Sequence, residues 1–233
     1  MTEDSPQRAM SKNDIEEALL ATLPLSQRLA LAYAPSAARL PTLAVFALDT
    51  RLAGLLRHSK EPMLAQLRLA WWRESLERDA SEWPAGEPLL AALRSWNGQH
   101  KALSALVDGW EALTGAAPLP PEALAQMVEG RGAAFGALAS ALGRPEEAQA
   151  AATIGRKWAM TDLATRLRDK NESEAVRVMI AADDRRRPRV SRSLRPLLVL
   201  HGLAQTRLAR GAEKGAQSPA ALLKAMRLGI LGF

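Results

Sequence analysis

Few residues in this 233-residue chain are of the types, and at the spacings, that chemistry demands. Cysteine is absent, which excludes disulfides, zinc–thiolate sites, iron–sulfur clusters and a cysteine nucleophile. The three histidines, His58, His100 and His201, stand far apart, with no second histidine or carboxylate at metal-ligating spacing. His58 reads as a helix cap ahead of Glu61–Pro62. No Gly-rich phosphate loop and no Gly-x-Ser-x-Gly turn occurs. The Gly130–Arg131–Gly132 cluster reads instead as a close contact between helices. The only Asp-Asp pair, Asp183–Asp184, runs into Arg185–Arg187 and reads as a salt-paired loop.

What remains is aromatic and cationic. Trp71–Trp72 is the densest aromatic feature. Adjacent helical positions point about 100° apart, so one tryptophan fills the core and the other a cleft wall or an interface. Arg185, Arg186, Arg187, Arg189, Arg192 and Arg195 form the strongest basic run. It fits anionic lipid, acidic protein or a solvated connection. Nucleic acid is disfavoured because no aromatic residue is interleaved. Across the chain, 31 Lys+Arg face 25 Asp+Glu. That excess suits a diphosphate, a lipid surface or another anionic partner without choosing among them.

The elements that must position these residues are helices. The composition, 48% hydrophobic and 24% charged, is that of a folded chain. Ala, Leu, Arg and Glu dominate, and no stretch alternates with period two. Residues 1–10 read as a disordered tail and 11–233 as a single domain, opened by a Ser11–Asp14 capping pattern. Pro24, Pro35 and Pro41 punctuate the next stretch. Helices are predicted at 43–58, 61–80, 88–96, 99–114, 121–142, 146–170, 171–182, 194–209 and 219–228. In the second, Met63, Leu67, Ala70 and Trp71 share one face and Leu69, Trp72 and Leu76 another. Arg73–Glu77 and Glu74–Arg78 form i,i+4 pairs on the wet side. The longest uncharged run, Gly132–Gly143, falls short of the roughly 20 residues that span a bilayer. The acid-rich start is neither a secretory signal nor a transit peptide, so a cytoplasmic protein is expected.

Three stretches in order resemble the squalene/phytoene synthase family. They are Tyr33–Arg78, with its Trp-Arg-x-x-Leu signature; GRGAAFGALASALG with IGRKWAMTDLATRLRD; and LRPLLVLHGLAQTRLARG with SPAALLKAMRLGILGF. The nearest likeness is to the short, divergent branch that includes a complex I assembly factor. The resemblance implies an all-α, prenyl (terpenoid) synthase-like helical bundle with a central cleft. It also implies Mg²⁺ held by carboxylates of two facing helices, where it would neutralise a departing diphosphate.

Laid on that pattern, the metal site fails. The first acidic motif falls on Ala53, Gly54 and Arg57, and Asp49 stands alone one turn earlier. The second falls on Asp162, Arg166 and Lys170. Arg57, Arg166 and Lys170 can instead form an anion pocket or a solvated face, and Asp162 can pair with Arg166 at i,i+4. Together with Trp71, Trp72 and Arg73 these are the cleft candidates, with no metal and no catalytic residue assigned. The expectation is a non-catalytic binding or assembly factor without cofactor. By resemblance it would serve respiratory complex I biogenesis, peripheral to the inner membrane. Its partner would be a protein, an anionic lipid or a diphosphate. The alternative is an active, Mg²⁺-dependent prenyl-diphosphate transferase of isoprenoid biosynthesis.

Overall fold

A computed structural model describes residues 10–58, 61–84, 86–184, 186, 188–210 and 219–232. It lacks description of the side chains of His58, Pro62, Arg210, residues 219–221 and Leu231. Among the described residues the chain is helical throughout, without a strand. The α-helices are α1 (Lys12–Thr22), α2 (Leu25–Leu31), α3 (Ser36–His58), α4 (Pro62–Glu77), α5 (Pro88–Leu93), α6 (Ser104–Ala112), α7 (Pro121–Ala141), α8 (Ala148–Arg166), α9 (Lys170–Ala182), α10 (Arg195–Arg210) and α11 (Pro219–Met226). No described helix is long and apolar enough to cross a membrane.

Local chemistry explains most boundaries. Ser11 and Asp14 form a reciprocal capping box at the start of α1, with bonds of 3.2 and 3.1 Å. Pro62, Pro88 and Pro121 open α4, α5 and α7 at the first turn, where a missing N–H costs nothing. Several boundaries differ from the sequence reading: α4 ends at Glu77 rather than 80, and the helices expected at 88–96 and 99–114 are α-helical only over Pro88–Leu93 and Ser104–Ala112. Helix α3 starts at Ser36 rather than 43 and runs through Pro41, which withholds one amide from the helix. The helix expected over 146–170 stops at Arg166, because Asp169 caps a new helix by accepting from the amides of Asn171 and Glu172.

Long helices α3, α7, α8 and α10 carry the core, and α7 packs between α6 and α8. Three glycines permit that approach. A Cβ on Gly130 would press into the Ala105 carbonyl of α6. One on Gly132 would lie 3.2 Å from the Ala152 carbonyl, and one on Gly155 2.7 Å from that of Arg131. Gly155→Ala should therefore destabilise by about 1–3 kcal/mol through overpacking against backbone. Gly86→Ala, which meets open space, should be near neutral, as urea melts of the two would register.

Helix α4 separates the tryptophan pair: Trp72 is 3% exposed and Trp71 44%. Leu69, Trp72 and Leu76 form its buried face, and Met63, Leu67 and Trp71 lie outside. Trp72→Ala should cost about 3–5 kcal/mol in equilibrium unfolding, and Trp71→Ala much less.

Candidate functional site

The glycine seam aims Arg131 into the middle of the bundle, where it is almost wholly buried. Its Nε and Nη2 donate to Asp49 Oδ1 and Oδ2 of α3 at 3.0 and 3.1 Å. Its Nη1 donates to Asp162 Oδ2 of α8 at 3.0 Å. Trp110 Nε1 adds a bond to Asp49 Oδ1 at 3.0 Å, and Arg166 Nε reaches both Asp162 oxygens at 2.8 and 2.9 Å. The guanidinium carbon lies 4.3 Å from the Trp158 ring centroid and 5.1 Å from that of Trp110. Phe135 stacks on Trp158 with centroids 5.4 Å apart. The charge is thus held by carboxylates at its edge and by aromatic faces, a geometry open to guanidinium and not to ammonium.

Burial works against the charges of Arg131 and Asp162, and pairing outweighs it. Desolvation disfavours the Asp162 carboxylate, but the charges and hydrogen bonds of Arg131 and Arg166 hold its carboxyl below the usual value. Desolvation likewise opposes Arg131, and Asp49 and Asp162 more than restore its proton affinity.

Beside this triad opens a cleft of about 380 Å³, lined by Gln27, Asp49, Ala53, Arg57, Arg166 and Arg207 among others. A smaller cavity of about 210 Å³ shares Gln27, Arg166 and Arg207 and adds Asp162. Four guanidiniums and two carboxylates line the two spaces together, so two positive charges are uncompensated there. Arg57 and Arg207 make no ion pair with any described residue, and Arg207 Nε is buried without a hydrogen-bond partner. Such a site favours an anion.

Of the expected cleft residues, Arg57, Asp162 and Arg166 meet here, with Asp162–Arg166 paired at i,i+4. Lys170 does not: it opens α9, exposed, because the chain breaks after Arg166. Trp71, Trp72 and Arg73 do not line the cleft either. Arg73 leaves Glu77 for Asp108, at 2.6 Å, and Glu111 of α6, where two carboxylates outbid one. Asp49, expected to stand alone, is paired through Arg131. Asp183 pairs with buried Lys157 of α8, and Asp184 Oδ1 accepts from the Arg186 amide at 2.9 Å; Arg185 and Arg187 lie outside the described residues. The His58 side chain, expected as a cap, also lies outside them, as does most of the expected tail.

The carboxylates do not fit a Mg²⁺ ion. Every oxygen of Asp49 and Asp162 already accepts from Arg131, Arg166 or Trp110. No group of three or more metal-ligating side chains occurs among the described residues. A divalent cation there would also have to displace a guanidinium.

Arg131→Met should cost about 3–5 kcal/mol, because it strands buried carboxylates. Asp162 gives a pH signature. Its lowered value means its stabilisation is complete above the unfolded value near 3.9 and is lost as pH falls through the folded value. The stability gap between the parent and Asp162→Asn should be wide at neutral pH and shrink steadily below about pH 4 in denaturant titrations.

No protein-family model, no curated protein and no solved structure matches this chain.

Proposed function

We propose that this protein is a non-catalytic, squalene/phytoene synthase-like chain whose metal site has been replaced by an internal guanidinium. Its cleft takes an anion without metal, in the service of binding or assembly. The observation that carries this reading is Arg131, standing between Asp49 of α3 and Asp162 of α8. In the resembled family, cations bridge carboxylates of two facing helices. Here two helices also face each other through carboxylates, and the bridge is covalently part of the chain. Catalysis of prenyl transfer needs a cation that engages the leaving diphosphate. Arg131 is buried and turns three of its N–H donors, one on each nitrogen, to Asp49 and Asp162.

The cationic side of the cleft supports anion binding. Arg57 and Arg207 flank the paired Arg166 with unspent charge. A phosphate or diphosphate group matches guanidinium geometry. The likeness to the complex I assembly branch supports a role in assembly, with this cleft holding an anionic group of a partner or lipid.

Calorimetric titration with pyrophosphate in EDTA should give heat at low salt and much less at high salt. Arg57→Ala with Arg207→Ala should abolish it while leaving the melting temperature in place, since neither residue pairs within the described fold. Farnesyl diphosphate with Mg²⁺ should not be turned over. Mg²⁺-dependent release of diphosphate would overturn the non-catalytic reading, and absence of heat at either salt would remove the anion site.

A further inference from the structure

The cleft beside Arg131 holds one uncharged group with hydrogen-bonding capacity to spare. Gln27 lies on α2, which packs against α3 and α10. It is 5% exposed and lines both spaces of the cleft. Thr50 of α3 donates its hydroxyl to Gln27 Oε1 at 2.9 Å, which occupies the carbonyl end of the amide. Nε2 donates to no described residue. Polar groups this deeply buried are as a rule satisfied, and an idle donor there is costly unless something in the cleft accepts from it.

Other idle donors meet it. Arg57 of α3 and Arg207 of α10 line the same space of about 380 Å³, and Arg207 Nε is buried without a partner. Arg166 of α8 turns Nε to Asp162, and its Nη groups hydrogen-bond no described residue. Donors therefore converge from four helices, α2, α3, α8 and α10. A carboxylate is planar, and one guanidinium fork satisfies it. A phosphodiester has two unesterified oxygens and a single negative charge. The phosphoryl end of a monoester presents three oxygens on a tetrahedral face and carries about −1.5 to −2 at pH 7. That charge matches the two uncompensated positive charges of the cleft.

We propose that the cleft binds a small phosphomonoester by its phosphoryl group, and that Gln27, held by Thr50, sets this selectivity. The proposal rests on the reading of the cleft as an anion site. Guanidiniums attract any anion, whereas Gln27 adds no charge and contributes direction. Its N–H serves the third oxygen, which a diester and a carboxylate lack. The cleft and the adjoining space of about 210 Å³ are of a size for a small molecule. Leu200, Leu203 and Ala204 wall the smaller space, an apolar surface for the carbon body of the ester.

The test is calorimetric titration of the full chain in EDTA at low salt, with pyrophosphate, ethyl phosphate, diethyl phosphate and acetate. Ethyl phosphate should bind at least about tenfold tighter than diethyl phosphate or acetate. Gln27→Leu should weaken ethyl phosphate about tenfold and change diethyl phosphate less than about twofold. Gln27→Glu, which sets a carboxylate against the phosphoryl group, should abolish binding of ethyl phosphate. Thr50→Val keeps Gln27 but releases its amide, and should narrow the same selectivity by a smaller factor. Thermal melts report the folding of each variant, and the selectivity is read on Thr50→Val if Gln27→Leu does not fold. A phosphoserine peptide should bind no tighter than free phosphoserine; tighter binding would make a docked protein the ligand and overturn the small-molecule assignment. Heat with pyrophosphate but equal affinity for monoester and diester, or selectivity unchanged in the folded variants, would overturn this inference and leave the anion site standing. No heat from any probe would remove the anion site and the inference together.

Discussion

One buried guanidinium organises this bundle. Arg131 turns a donor from each of its three nitrogens to Asp49 and Asp162, so α3, α7 and α8 converge on a single charge. An ion removed from water costs several kcal/mol unless it is matched in geometry and in hydrogen bonds. The match is supplied from afar: the indole N–H of Trp110 satisfies an Asp49 oxygen, and Arg166 closes Asp162. The faces of Trp110 and Trp158 pack against the cation. The glycine seam belongs to the same arrangement, since side chains at Gly130 or Gly155 would push α7 away from α6 or α8 and Arg131 off its partners.

What was legible in the sequence was local. The pairing of Asp162 with Arg166 follows from four-residue spacing, and the splitting of Trp71 from Trp72 from helical pitch. The all-helical class follows from composition and period. What was not legible depends on partners distant in the chain. Arg131 lies 82 residues from Asp49 and 31 from Asp162, and neither separation leaves a mark in a helical window. A signal was present in its setting, a lone cation between two glycines and directly before the uncharged run Gly132–Gly143. Arg207 gave less, being one of several arginines in a basic region. Arg73 misled because a local partner, Glu77, hid two better ones on α6. The break before Lys170 escaped because no glycine or proline marks it; the sign was Asp169 three residues ahead of Glu172, an N-terminal capping arrangement.

Charge is partitioned as sharply as packing. The interior holds a nearly neutral network, the cleft beside it an excess of guanidinium, and the terminal hairpin of α10 and α11 lies within a segment almost free of acids. Each zone answers to a different dielectric. Buried pairs are governed by desolvation, the cleft by partial exclusion of water, and the outer face by screening within about 10 Å at ordinary salt.

The Arg131 network also shapes which descendants of this sequence can exist. Loss of Arg131, Asp49 or Asp162 alone leaves a buried charge without its counterpart, whereas exchange of all three for well-packed apolar residues can be close to neutral. The accessible sequences therefore fall into two islands, one with the full ionic set and one with none, separated by single-step intermediates that fold poorly.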